Sequence, residues 1–172
     1  TSTPVATTIV LPPGTATPWP KVILSEVMID PQAGDDNRCE WIELANAGAA
    51  PVNLRGWQLL PARGHGVTIA VDVMMAPGTY LVLGRHVDPT VNCDVPVSLP
   101  YSGLSLTNAS GMVRLLMPGS ILADTLIWGG ESGLGVQRGI ALQRTALSAT
   151  AGCQPAPLLW SSRHTDLGSP GQ

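Results

Sequence analysis

No apolar run in this chain exceeds the length of a β-strand, and a turn signal follows each run within roughly ten residues. The runs are KVILSEVMI (21–29), EWIELAN (40–46), VNLRGWQLL (52–60), VTIAV (67–71), TYLVLGR (79–85), LSL (104–106), MVRLLM (112–117), ILADTLIW (121–128) and GIALQRT (139–145). Asn46–Gly48, Pro77-Gly78, Asn108–Gly111 and Pro118-Gly119 punctuate them. Nowhere do apolar residues hold a 3.6-residue period for three turns, so helices are not expected. Nine short strands without helices predict an all-β chain, an antiparallel sandwich or barrel. The 19 glycines and 16 prolines fit that reading, and 172 residues suffice for one core and a tail.

Residues 1–20, TSTPVATTIVLPPGTATPWP, carry no charge and five prolines. Such a segment stays extended and builds no core, so it reads as a Thr/Pro-rich linker ahead of a domain spanning 21–172. No stretch approaches the roughly 18 apolar residues of a membrane span, and none reads as a signal peptide; an exported protein would have had its signal removed or omitted. Charged residues make up 12% of the chain and the net charge is −3. Without clustered Lys and Arg there is no phosphate-binding surface, which argues against nucleic acid as a partner.

CEWIELANAG (39–48) places two carboxylates three residues apart. Side chains alternate along a strand, so Glu40 shares a face with Ile42 and Leu44 while Trp41 and Glu43 take the other. Glycoside hydrolysis needs two carboxylates converging on one substrate, and these two diverge. Glu40 is expected at the strand mouth, in reach of water. In VNLRGWQLL, Leu54 and Trp57 both look like core residues but differ in parity; a bulge at Arg55-Gly56 would reconcile them.

Taken in order, ILSEVMIDP (23–31), EWIELANAG (40–48), VNLRGWQL (52–59), PGTYLVL (77–83), LSLTNASGMVRLL (104–116), LADTLIW (122–128), GIALQR (139–144), Trp160 and GSPGQ (168–172) resemble the lamin tail domain family. The resemblance implies an immunoglobulin-like antiparallel β-sandwich of about nine strands. It also implies a non-catalytic structural or protein-interaction module with no cofactor, of the type carried by secreted or surface proteins of bacteria. No coiled-coil heptads and no basic surface accompany it, so the filament and DNA-binding roles of nuclear members are not carried over.

Several residues invite chemistry. Cys39, Cys93 and Cys153 are an odd number; if strands alternate direction, all three fall at one pole, and any pair could bond in an exported protein. Three unpaired thiols, or a zinc site completed by His86, are the alternatives. Asp30, Asp35, Asp36 and Glu40 gather in DPQAGDDNRCE (30–40), an oxygen-rich loop that could hold calcium but lacks the D-x-D-x-D-G spacing and equally suits a solvated turn. GGESGLGVQRG (129–139) reads as a mobile hairpin loop and a candidate binding loop. Ser132, Ser148 and Ser161 lack a nucleophile elbow. Trp41 and Glu43, if exposed, are the contacts a sugar ring would use; the competing reading is that the C-terminal segment covers Trp41. The expected partner is therefore a protein or cell-envelope component, with a glycan as alternative and an extracellular or envelope location.

Overall fold

The computed structural model describes residues 19–132, 134–146, 153–155 and 166–172, with the backbone alone at Ser132 and 153–155. Most of the 1–20 linker therefore lies outside the described residues, as do Ser148, Trp160, Ser161 and His164. The described strands are β1 (Val22–Met28), β2 (Trp41–Asn46), β3 (Val52–Asn53), β4 (Gln58–Pro61), β5 (Val67–Thr68), β6 (Met74–Met75) and β7 (Tyr80–Gly84). They continue with β8 (Leu99–Pro100), β9 (Gly111–Met117), β10 (Ile121–Trp128), β11 (Leu142–Arg144) and β12 (Cys153–Pro155). One sheet runs β12-β11-β1-β2-β7-β8 and the other β10-β9-β4-β5, with β3 and β6 paired apart. All neighbours are antiparallel except β7 and β8. Among the described residues no helix is long and apolar enough to cross a membrane.

The core lies between the two sheets. Val22, Leu24, Val27, Ile42, Leu44 and Leu83 from the larger sheet meet Leu59, Val113, Leu115, Leu126 and Trp128 from the smaller. A second, smaller cluster of Met28, Trp41, Val82, Val95 and Ala141 sits on the outer face of the larger sheet. That face is sealed by the chain itself: Gly168 lies so close that an added Cβ would stand 3.1 Å from both the Trp41 ring and a Glu26 carboxylate oxygen. Glycine alone permits this approach.

Local departures from the expected pattern have local causes. VNLRGWQLL is not one bulged strand. Trp57 N–H donates to the Leu54 carbonyl at 3.0 Å across Arg55-Gly56, and Gly56 has φ +82°, so a turn separates β3 from β4. Leu54 and Trp57 are both buried, as expected. The LSL run forms no strand but buries Leu104 and Leu106. A helical turn, α1 (Asp36–Cys39), stands where only loop was expected. The 129–139 segment is not a free hairpin: Gly130–Ser132 form a 3-10 turn, Gly129 N–H donates to the Leu134 carbonyl at 2.7 Å, and Leu134 and Val136 pack against the core.

Candidate functional site

A carboxylate inside a sandwich must find donors or give up its charge. Five described acids are buried: Glu26, Glu40, Glu43, Asp124 and Asp166. Where each one points decides what this chain can do chemically.

The first pair follows from a bulge. The β1–β2 register shifts between Leu24 and Glu26, so β1 changes parity there. Val22 and Leu24 face the core and so does Val27, while Glu26 and Met28 turn outward. Glu26 thereby lands directly opposite Glu43. Both reach the C-terminal segment. Ser169 N–H donates to both Glu26 oxygens at 3.1 Å and its hydroxyl to Oε2 at 2.9 Å. Gly171 N–H donates to Glu43 Oε2 at 2.6 Å, and the Ser25 hydroxyl to Oε1 at 2.6 Å. Burial pushes both carboxyls up to about 7, against the pull of these donors, and the negative charge of Glu43 adds to the effect on Glu26.

The same bulge releases the backbone of Leu24 from its ladder, and side chains satisfy it. Leu24 N–H donates to Asp124 Oδ2 at 2.8 Å, and Arg144 Nε donates to the Leu24 carbonyl at 3.0 Å. Arg144 also clasps both Asp124 oxygens at 2.7 and 2.8 Å, tying the larger sheet to β10. At the opposite end, Arg85 grips Glu40 Oε2 at 2.6 and 3.1 Å and lies 5.1 Å from the Tyr101 ring centre. Burial pushes Glu40 up to about 7, opposed by the Arg85 charge, and burial likewise raises Tyr101. Asp166 accepts from the backbone of Gln32 at 2.9 Å and Ala33 at 3.3 Å. Each buried acid is thus committed to holding two parts of the chain together.

The candidate residues fare accordingly. Glu40 and Glu43 do diverge, but Glu40 is 1% exposed and does not reach water. Trp41 is 0% exposed, covered by the C-terminal segment, and Glu43 is 1% exposed, so neither can contact a sugar from solution. Cys39 and Cys93 form a disulfide across 54 residues, which removes the zinc alternative with His86. Cys153 does not join them at that pole. By backbone it sits on edge strand β12 opposite Arg144, and β11 runs antiparallel to β1, away from the pole where β1 ends. The strand count holds as far as β7, which ends beside Trp41, and fails beyond it because LSL, counted as a strand, is none. Asp30, Asp35, Asp36 and Glu40 do not converge either. Glu40 is taken by Arg85, Asp36 by the Asn108 amide at 3.2 Å, and Arg138 stands 4.0 Å from Asp30. Among the described residues no group of three His, Cys, Asp or Glu is placed to hold a metal ion.

Two open depressions remain near this pole. One of about 400 Å³ lies over the disulfide between Arg38 and Asp94, and one of about 370 Å³ is lined by Asp35, Asp36, Glu40, Arg85, Ser105 and Arg138. A larger one, about 740 Å³, lies against Met112, Ile127 and Trp128, with Arg63 and Glu131 on its walls. Ser105 shares one of these linings with Asp35, Asp36 and Glu40, but no hydrogen bond joins its hydroxyl to any of them. Sequence reasoning missed Glu26, Arg85, Asp124, Arg144 and Asp166; the available signal was a lone charge within an apolar strand, as in SEV, GRH or ADT.

Compared with known proteins, residues 15–130 match the family model described as Lamin Tail Domain. The match begins inside the expected linker and stops at Gly130, so GIALQR and GSPGQ lie beyond it. No curated protein matches the chain.

Proposed function

The chain belongs to the lamin tail domain family, and from that premise we propose that it is a non-catalytic protein-interaction or structural module of a secreted or cell-surface protein. One observation carries the reading: every buried acid among the described residues is spent on joining segments of the chain. Catalytic carboxyls face substrate with a free lone pair or proton; these face backbone N–H groups and arginines. The Cys39–Cys93 disulfide favours an oxidising compartment, and a Thr/Pro-rich spacer suits display away from a surface. The partner is then a protein or another component of the envelope.

The glycan alternative rested on Trp41 and the polar loops, and with Trp41 buried it keeps only the loops. Turnover assays on the purified chain against glycoside, ester, phosphate and nucleic-acid substrates test the reading. Activity that disappears in Glu40→Gln or Glu43→Gln would overturn it. Site-specific photo-crosslinking on cells that display the protein should return a repeated partner, and repeated blanks count against an interaction role.

A further inference from the structure

The two sheets treat their outer faces differently. The larger sheet buries its outer residues under the chain's own C-terminal segment. On the smaller sheet's outer face Leu116 is buried, but the described residues leave the β10 side exposed. Register places Leu122, Leu116 and Gln58 in one row, Thr125, Arg114 and Leu60 in the next, then Ile127 and Met112. Val113, Leu115 and Leu126 alternate with these and face the core. Leu122 is 57% exposed and Ile127 50%. Two large apolar side chains on one sheet face mark an interaction surface more than a scattered exposed leucine does.

One charge lies within this face. Arg114 is half-buried in the central row, no acid pairs with it among the described residues, and its Nε is buried without an acceptor. A buried donor lacking an acceptor is destabilising by an amount that a partner carboxylate would recover. The 740 Å³ depression continues the face past Met112 and Ile127, adding room for an apolar anchor, with Arg63 and Glu131 both on its walls.

Meanwhile the free edge of β10 is largely closed. Thr125 N–H donates to Asp124 Oδ1 at 2.7 Å, the Thr125 carbonyl accepts from Arg144 at 3.2 Å, and Gly129 N–H is taken by Leu134. Thr125 thus offers neither of its backbone groups to an added strand midway along that edge, which favours contact through the face. A second copy stacked on it by a two-fold axis through the central row would bring Arg114 toward Arg114.

We infer that the outer face of β10-β9-β4-β5 binds an apolar protein segment bearing a carboxylate, which seats over Leu122, Leu60, Met112 and Ile127 and pairs with Arg114. This surface rests on the interaction-module reading and names the chemistry of the partner.

Its test uses the full chain, isotope-labelled, titrated with two synthetic nonapeptides. Both alternate valine and threonine, with a central glutamate in one and a central lysine in the other. The glutamate peptide should shift the backbone amides of Leu60, Met112, Arg114 and Ile127, and bind about three- to tenfold more tightly at low salt. Arg114→Gln should erase that preference while leaving the spectrum folded, and Ile127→Asp should weaken both peptides. Silence of these amides at millimolar peptide, or equal affinity for the two peptides, overturns the proposal. Shifts of the same amides with protein concentration alone, accompanied by a doubled mass, overturn it in favour of a second copy. Binding of the glutamate peptide elsewhere overturns this surface and leaves the module reading intact; catalytic turnover overturns the module reading itself.

Discussion

Replacing Glu26 by glutamine should change stability little at pH 5 and raise it at pH 8. In the folded chain burial lifts the Glu26 carboxyl from its ordinary 4.5 to about 7. Between those values the folded state holds a proton that the unfolded state has lost. Glu26 therefore contributes stability that is complete below about 4.5 and disappears as pH rises through about 7. A displacement of that size corresponds to on the order of 3 kcal/mol. Glutamine keeps an oxygen to accept from Ser169 N–H but meets the Ser169 hydroxyl with an amide, and that hydroxyl already accepts from Gln143 Nε2 at 2.8 Å. Disturbing one buried hydrogen bond costs about 1 kcal/mol. About 1 of these 3 kcal/mol is already lost at pH 5, so Glu26→Gln should nearly match the natural chain there and be about 2 kcal/mol more stable at pH 8. Urea unfolding at both pH values, both proteins side by side, measures this directly. A difference of the same sign and size at pH 5 and pH 8 would refute the assignment of Glu26 as a carboxyl raised by burial.

Other outcomes follow from single contacts. Arg144→Gln leaves Asp124 buried with only backbone donors and should cost roughly 3–5 kcal/mol in chemical unfolding. Cys39→Ser combined with Cys93→Ser opens a loop spanning 54 residues and should cost about 2–4 kcal/mol; an identical unfolding midpoint with and without reductant would sink that expectation. Trp41→Ala should cost about 3–5 kcal/mol through the cavity it leaves, with no change in any glycan-array signal.

Much of the sandwich could be read from the sequence because strand alternation and turn residues are local signals. Tyr80–Gly84 and Ile121–Trp128 needed only their own residues. Glu40 and Glu43 diverge, as alternation requires. The buried acids were hidden for a nonlocal reason. Nothing in KVILSEVMI announces that the ladder slips at Ser25, yet that slip turns Glu26 toward Glu43 and frees Leu24 for Asp124 and Arg144. Trp41 was ambiguous because the exposure of a sheet's outer face depends on what covers it, and here Gly168 lies against its ring. Counting strands placed Cys39 and Cys93 together but misplaced Cys153, since LSL was counted as a strand and forms none, which reverses the direction assigned to 139–145.

The contacts of Glu26 and Glu43 with the C-terminal segment also set a clock. Their donors on Ser169 and Gly171 lie 143 and 128 residues further along the chain. A ribosome adding about 5–20 residues per second needs roughly 6 to 30 s to cover that interval. Throughout it, β1 and β2 exist as chain while the acids on them still require water and the Trp41 face has no cover. The larger sheet of a nascent chain thus stays open on one side until its last strands and the segment beyond them have emerged. Whatever accompanies the protein during synthesis meets that uncovered face before the domain does.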